Sequence, residues 1–135
     1  NTHSNARSMA KIAAMMSSGG KFGNQEFLTE AGWAALHSEP VKATMGMGRT
    51  IFTQGGIAQF TPCDADSNKL DKAFNTGREG FYGWMGLGGS ILQWHPAHRI
   101  GFGYVPTSLN VADIVNERGK AYQAEVLGCI DRLND

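Results

Sequence analysis

The region from residue 49 to 108 constrains the fold most, because it consists of short β-type runs separated by turns. The runs RTIFTQ and IAQFTP flank the pair Gly55-Gly56, and the runs GSILQWH and HRIGFGYVPT meet at the turn HPAHR. Two-residue glycine connections are typical of tight hairpins, whose strands are antiparallel. We therefore expect four or five antiparallel strands over residues 49–108.

Helical patterns flank this region on both sides. Within residues 1–48, apolar residues recur at the spacing of an amphipathic helix that ends at Gly19-Gly20, and Thr29 caps a second, shorter helix. Residues 109–135 carry a third helical pattern, which Gly119 is predicted to divide. The expectation is one α+β domain over residues 1–135, an antiparallel sheet with flanking helices.

A polar segment, TPCDADSNKLDKAFNTGREG, lies within the strand region and reads as a long surface loop. Asp64-x-Asp66 is similar to the start of a calcium loop, but the glycine and glutamate of an EF-hand are missing. We expect Asp64, Asp66 and Asp71 to be solvated.

Composition excludes several classes of function. The formal net charge is 0 and the pI is about 7.1, so no basic surface for nucleic acid is expected. Apolar runs are far shorter than the roughly 20 residues of a membrane span. Cys63 and Cys129 form no Cys-x-x-Cys motif, which leaves either a disulfide or two separate thiols. The histidines show no metal-ligand spacing, and we expect neither a metal nor a cofactor.

The stretch YGWMGLGGSILQWHP, residues 82–96, places four glycines and two tryptophans close together. It matches neither the Walker A loop nor the Gly-x-Gly-x-x-Gly fingerprint, and a strand rather than a helix follows it, which argues against phosphate binding. Glycines within a strand pattern mark bulges or places where another backbone or a ligand comes close. Without further information, the residues of this stretch favour a structural role for its glycines.

Two Ser-x-x-Lys matches, Ser8 to Lys11 and Ser18 to Lys21, carry the pattern of a serine nucleophile with a lysine base. Ser18 lies at the end of a predicted helix, and Ser8 lies inside one with Lys11 facing water. Neither position suits a buried nucleophile, so we expect neither serine to react.

The order of segments resembles a known family, the serine β-lactamase-like hydrolases related to class C β-lactamases, D-alanyl-D-alanine carboxypeptidases and some esterases. NARSMAKIAAMMSSGGKFGNQEFLTEAGWAAL is similar to the family's Ala-Arg-Ser helix, paired glycines and next helix start. FYGWMGLGGSILQWHPAHRIGFGYVPT is similar to its third-motif strand and the hairpin that follows. The resemblance covers nearly the whole chain.

The resemblance implies that the chain is the C-terminal part of a β-lactamase/transpeptidase-like fold. In the family, the catalytic Ser-x-x-Lys and Tyr-x-Asn motifs lie upstream of the Ala-Arg-Ser helix and have no counterpart here, and the first residue is Asn rather than Met. The implied partner is the N-terminal part of the same protein, or a second copy of this chain. The family leans towards an extracytoplasmic or secreted location, which the sequence itself leaves open.

The family's Lys-Thr-Gly or His-x-Gly position falls on Trp84, Met85 and Gly86, which the resemblance makes substrate-binding residues. Leu87 then supplies a backbone N–H to the oxyanion hole. Trp84 departs from the family, since an indole carries no positive charge and relays no proton. A hydrophobic ester, amide or peptide substrate is therefore expected rather than a β-lactam carboxylate. The alternative is a non-catalytic structural, binding or assembly protein that keeps the fold.

Overall fold

The computed structural model describes residues 3–45 and 48–134, which form four helices and eight strands. Six strands make one antiparallel sheet in the order β3-β4-β5-β6-β7-β8, and β1 pairs with β2 in a separate hairpin. The α+β class predicted from the sequence is confirmed. The elements in chain order are α1 Ala6–Ser17, β1 Lys21–Phe22, β2 Gln25–Glu26, α2 Glu30–His37, β3 Val41–Met45, β4 Gly48–Phe52, β5 Ala58–Gln59, α3 Lys69–Asn75, β6 Tyr82–Met85, β7 Ile91–His95, β8 Ile100–Tyr104 and α4 Glu117–Asn134.

Each strand of the large sheet pairs with the strand that follows it in the chain. The connection at Gly55-Gly56 joins β4 to β5, and Ile51 lies opposite Gln59 in that pair. The turn after His95 joins β7 to β8, with His95 opposite Ile100. Both predicted hairpins are therefore confirmed.

Helix α1 packs on β7 and β8 through two glycines. The Asn5 side chain caps the helix by accepting a 3.0 Å hydrogen bond from the N–H of Ser8. A methyl group at Gly101 would lie 2.6 Å from the carbonyl carbon of Ala13, and one at Gly103 would lie 2.7 Å from the amide nitrogen of Ala10. Because glycine has no side chain at these two positions, the backbones of α1 and β8 can approach closely. The hydrophobic core forms beside this contact. Its buried members are Ala13, Met16, Ile57 and Trp94.

Helix α4 covers the opposite face of the same two strands. Adjacent residues of a strand point to opposite faces, so Tyr104 lies on the other side of β8 from Gly103. Gly119 of α4 contacts both Tyr104 and Ile91. The predicted break at Gly119 is wrong: the helix runs through this glycine, whose small size lets α4 lie against the sheet.

The polar segment contains a helix that sequence reasoning did not predict. Asn68 caps α3 by accepting hydrogen bonds from the N–H groups of Leu70 and Asp71, at 2.8 and 2.9 Å. The Asp71 carboxylate accepts in return from the N–H of Asn68 at 3.0 Å, which completes a capping box.

The predicted segment boundaries also need correction. Residues 1–48 hold, besides α1 and α2, the β1–β2 hairpin and strand β3. The last helix begins at Glu117 rather than at residue 109, because Asn116 has a left-handed φ of 54° and the chain before it makes turns. Among the described residues, no helix is both long enough and apolar enough to cross a membrane.

Candidate functional site

A cavity of about 390 Å³ lies between strands β4 to β6, helix α3 and the turn that precedes α4. This volume falls within the range of small-molecule sites. Trp84, Met85, Gly86 and Leu87 all line it, so the structure places the four sequence-predicted site residues at one cavity. Its apolar lining comes from Ile51, Phe52, Ala58, Phe60, Phe74, Met85, Leu87 and Ile114.

The turn of residues 86–89 follows β6 directly and depends on glycine. The N–H of Gly86 donates to the carbonyl oxygen of Ser90 at 2.7 Å, and the N–H of Gly89 donates to the carbonyl oxygen of Gly86 at 3.1 Å. Gly88 and Gly89 have φ values of 99° and 116°, in the region that L side chains rarely adopt. Gly88 and Gly89 are therefore needed for the backbone conformation of this turn.

Leu87 presents a free backbone donor in this turn. Across the parts of the chain that the structure describes, its N–H donates to no protein acceptor. The side chain is 76% exposed, so packing of the leucine itself does not fix the turn. A fixed N–H at the wall of a cavity can stabilise negative charge on a bound carbonyl oxygen.

The side chain of Asn116 stabilises the turn of residues 86–89. Its side chain is only 3% exposed. Because amide orientation follows the hydrogen-bonding partners, the side-chain nitrogen faces two carbonyl oxygens and donates to Gly86 at 3.2 Å and to Gly89 at 3.1 Å. Asn116 is not among the residues predicted from the sequence. Its available signal is that Asn adopts the left-handed conformation more readily than other non-glycine residues, and it stands immediately before a helix.

Arg78 in turn supports the backbone at Asn116. It is fully buried, and its terminal nitrogen Nη2 donates to the carbonyl oxygens of Val115 and Asn116 at 2.9 and 3.2 Å. Its Nε donates to Gln123 at 2.9 Å. Burial lowers the pKa of Arg78 to about 10, against the opposing effect of Glu117 and Asp113, so the side chain stays charged at neutral pH. Sequence reasoning had placed Arg78 in a surface loop.

Trp84 uses its polar atom within the protein. The indole nitrogen donates to the carbonyl oxygen of Gly56 at 3.0 Å, across the β4–β5 connection. Its ring lies edge-on to that of Trp94, with centroids 5.8 Å apart. The only hydrogen-bonding atom of the Trp84 side chain is therefore already engaged within the protein.

The charged groups at the cavity neutralise one another. Arg49 donates from Nε to Asp71 at 2.7 Å, and Lys42 donates to Asp64 at 2.9 Å. Hydrogen bonds from the backbone N–H of Arg49 and from Lys42 lower the pKa values of Asp71 and Asp64, respectively, below their usual range. The expectation that Asp71 is solvated is wrong: it is buried because it both caps α3 and pairs with Arg49.

The other candidate groups lie apart from one another. Ser8 and Lys11 are exposed on α1 and do not line the cavity. Both cysteines are free and exposed, and Cys63 lies at the cavity while Cys129 lies on α4. Over residues 3–45 and 48–134, no three His, Cys, Asp or Glu side chains come together as a metal site.

No family model, curated protein or solved structure matches this chain. The interpretation of the site therefore depends on its own geometry: an apolar cavity, paired charges at one side, and a held glycine turn with a free N–H.

Proposed function

We propose that this chain forms the substrate-binding wall of a β-lactamase-like serine hydrolase and supplies one oxyanion-hole N–H, with the nucleophile on a segment outside this chain. The observation that carries the proposal is the free N–H of Leu87, at the end of β6 and at the wall of the cavity. The resemblance of the sequence to that family places the same N–H in the same role.

Acyl transfer explains why a fixed donor matters. When a serine oxygen attacks the carbonyl carbon of an ester or amide, its proton passes to a base and negative charge collects on the carbonyl oxygen. A donor already held in place stabilises that charge without reorganising during the reaction. The alcohol or amine then leaves, and water releases the acyl group from the serine.

The structure around Leu87 provides such rigidity. Strand β6 pairs with β5 on one side and β7 on the other. The amide of Asn116 holds the carbonyl groups of Gly86 and Gly89 on either side of Leu87. The donor is thus fixed by backbone contacts, independently of the exposed leucine side chain.

The test uses the polypeptide encoded by the complete parent transcript and a serine-directed phosphonate probe. We expect an upstream Ser-x-x-Lys serine to be labelled. Leu87→Pro removes the N–H, and should slow hydrolysis of an activated ester by about 100- to 1,000-fold. Leu87→Ala keeps the N–H and serves as the matched control, with a rate near that of the wild type.

Three results would contradict the proposal. One is wild-type activity in a folded Leu87→Pro variant. Another is a parent sequence without an upstream Ser-x-x-Lys and Tyr-x-Asn. The third is stoichiometric labelling of Ser8 in the present chain alone.

A non-catalytic binding or assembly protein is the second candidate, and Trp84 favours it. An indole whose N–H is engaged by Gly56 stands where the family has a charge or an imidazole. This candidate predicts that the parent protein keeps the fold and associates with a partner or with itself, but shows no labelling by the probe. A parent that has both motifs and still fails to react would decide in its favour.

A further inference from the structure

The cavity offers a ligand an apolar surface and few hydrogen-bond donors. Phenylalanine, isoleucine and methionine side chains dominate its lining. The polar groups beside them are engaged with each other: Gln59 donates to the Tyr82 hydroxyl at 3.0 Å, and Asn75 accepts from the N–H of Thr61 at 3.1 Å. The N–H of Leu87 remains for a ligand oxygen.

The charges at the cavity cannot serve a charged ligand without losing their partners. Lys42 and Arg49 both contact Asp64, at 2.9 and 3.6 Å, and Arg49 also pairs with buried Asp71. Taking Arg49 for a ligand carboxylate would remove the ion-pair partner of buried Asp71, at a cost that grows with burial. A neutral ligand avoids this cost.

We infer that the cavity binds an uncharged aliphatic chain attached to a carbonyl group, with the carbonyl oxygen accepting from the N–H of Leu87. This inference rests on the proposed function and names its substrate class: neutral esters or amides that carry an aliphatic chain, which fills the apolar part of the cavity. Burial of methylene groups drives the binding, and the N–H of Leu87 orients the carbonyl.

A homologous series of N-alkylacetamides, from ethyl to hexyl, tests the inference on this chain by calorimetry and by the chemical shift of the Leu87 amide. Each added methylene should tighten binding about fourfold until the cavity is filled. Alkanoates and alkylammonium ions of equal length should bind about tenfold more weakly or worse. Affinity that is independent of chain length, or equal for the charged analogues, would overturn the inference.

The two free cysteines supply an internal control for location. Cys63 lines the cavity, whereas Cys129 lies exposed on α4. Saturating N-hexylacetamide should slow alkylation of Cys63 and leave that of Cys129 unchanged. Equal protection of both thiols, or of neither, would place the ligand elsewhere.

Matched substitutions test the neutral character of the site. Ile114→Asp adds an unpaired charge at a cavity-lining residue that is 44% exposed, and should abolish N-hexylacetamide binding while the chain stays folded. Val111→Asp makes the same change at a 65% exposed residue outside the cavity and should leave binding intact. Full binding by a folded Ile114→Asp variant would contradict the inference.

The outcomes separate this inference from the proposed function. Alkylacetamide binding needs no nucleophile, so it can be measured whether or not the protein is a hydrolase. If affinity depends on chain length but the Leu87→Pro variant hydrolyses esters at the wild-type rate, the proposed function and its substrate assignment are wrong. The cavity would then remain a binding site for aliphatic chains. If probe labelling depends on Leu87 but ligand affinity does not depend on chain length, the proposed hydrolase function stands and the aliphatic substrate class is wrong.

Discussion

Nε2 of His37 accepts a 2.9 Å hydrogen bond from the indole nitrogen of Trp94. Nδ1 of the same ring lies 2.7 Å from the carbonyl oxygen of Trp33. Since the indole only donates and the carbonyl only accepts, the proton of His37 is on Nδ1 and the ring is neutral. Burial lowers the pKa of His37, against the opposing effect of the Trp33 carbonyl.

This pairing predicts a loss of stability on mild acidification. The folded-state pKa of His37 lies below the ordinary value of 6.5, so the unfolded chain takes up the proton first. The free energy of unfolding should be highest above about pH 7.5 and fall as the pH drops through 6.5. Urea unfolding at pH 7.5 and 5.5 measures it.

The variant His37→Gln should reduce this pH dependence without removing it, because the pKa of His95 is also lowered, by burial and by His98. His3→Gln changes an exposed histidine and should keep the full dependence. Stability that increases between pH 7.5 and 5.5 would contradict the expectation.

Trp84→Phe isolates the hydrogen bond to Gly56. Phenylalanine keeps an aromatic ring beside Trp94 and loses the donor, so we expect a loss of about 1 kcal/mol in the free energy of unfolding. N-Hexylacetamide binding should persist, because the donor already has its partner inside the protein. Tyr122→Phe, at an exposed position, is the control and should change stability by less than about 0.5 kcal/mol. A substantially weaker ligand affinity in Trp84→Phe would show that the indole N–H serves the ligand.

Gly101→Ala tests the close packing of α1 on β8. The added methyl group would meet the backbone of Ala13 and Ala14, neither of which can move without shifting the helix. Overpacking of this kind typically costs about 1–3 kcal/mol, measurable by thermal unfolding. Gly128→Ala, in α4 with its nearest neighbour 3.5 Å away on a flexible arginine, should instead stabilise the protein by about 0.5–1 kcal/mol. The same sign in both variants would refute the packing argument.

Arg78→Met should be among the most damaging substitutions in the described chain. It leaves the carbonyl oxygens of Phe74 and Val115 without their buried donor, at about 1–3 kcal/mol each, whereas the Asn116 carbonyl oxygen still accepts from the N–H of Lys120. Urea unfolding should show a loss of about 3 kcal/mol or more. Arg78→Lys should rescue little, since one ammonium cannot reproduce the planar fork.

Arg7→Met, at an exposed residue of α1, is the matched control for Arg78 and should be nearly neutral. If Arg78→Met remained folded, the Leu87 amide resonance should still shift. Asn116 would lose its hydrogen bond from Arg78, and Asn116 in turn holds the turn that contains Leu87. An unshifted resonance would show that Arg78 does not position the turn.

The sequence predicted those parts of the structure that local pattern determines. Thr29 marks a helix start by capping chemistry, and Gly55-Gly56 marks a hairpin by turn chemistry. The assignment of Trp84 to Leu87 to a hydrolase site came from the family resemblance and stays a prediction, since composition and periodicity indicate only a glycine-rich strand.

What the sequence could not predict depends on contacts between distant residues. Helix α3 is short and polar, and its buried carboxylate is matched by Arg49, which is 22 residues away in the chain. In the sequence, Arg78 cannot be distinguished from an exposed loop arginine. Its buried position depends on Gln123 and the carbonyl group of Val115, which are distant in the chain. Strand β3 has only five residues, and its pairing with β4 defines it.

The packing of α1 against β7 and β8 has a consequence for synthesis on the ribosome. Strands β3 to β8 each pair with the next strand to be made, so the sheet can grow in order as the chain emerges. Helix α1 is made before all of them, yet the strands that it contacts come last. The part of α1 that packs on β7 and β8 therefore stays exposed through most of translation, when aggregation or binding by a chaperone competes with docking.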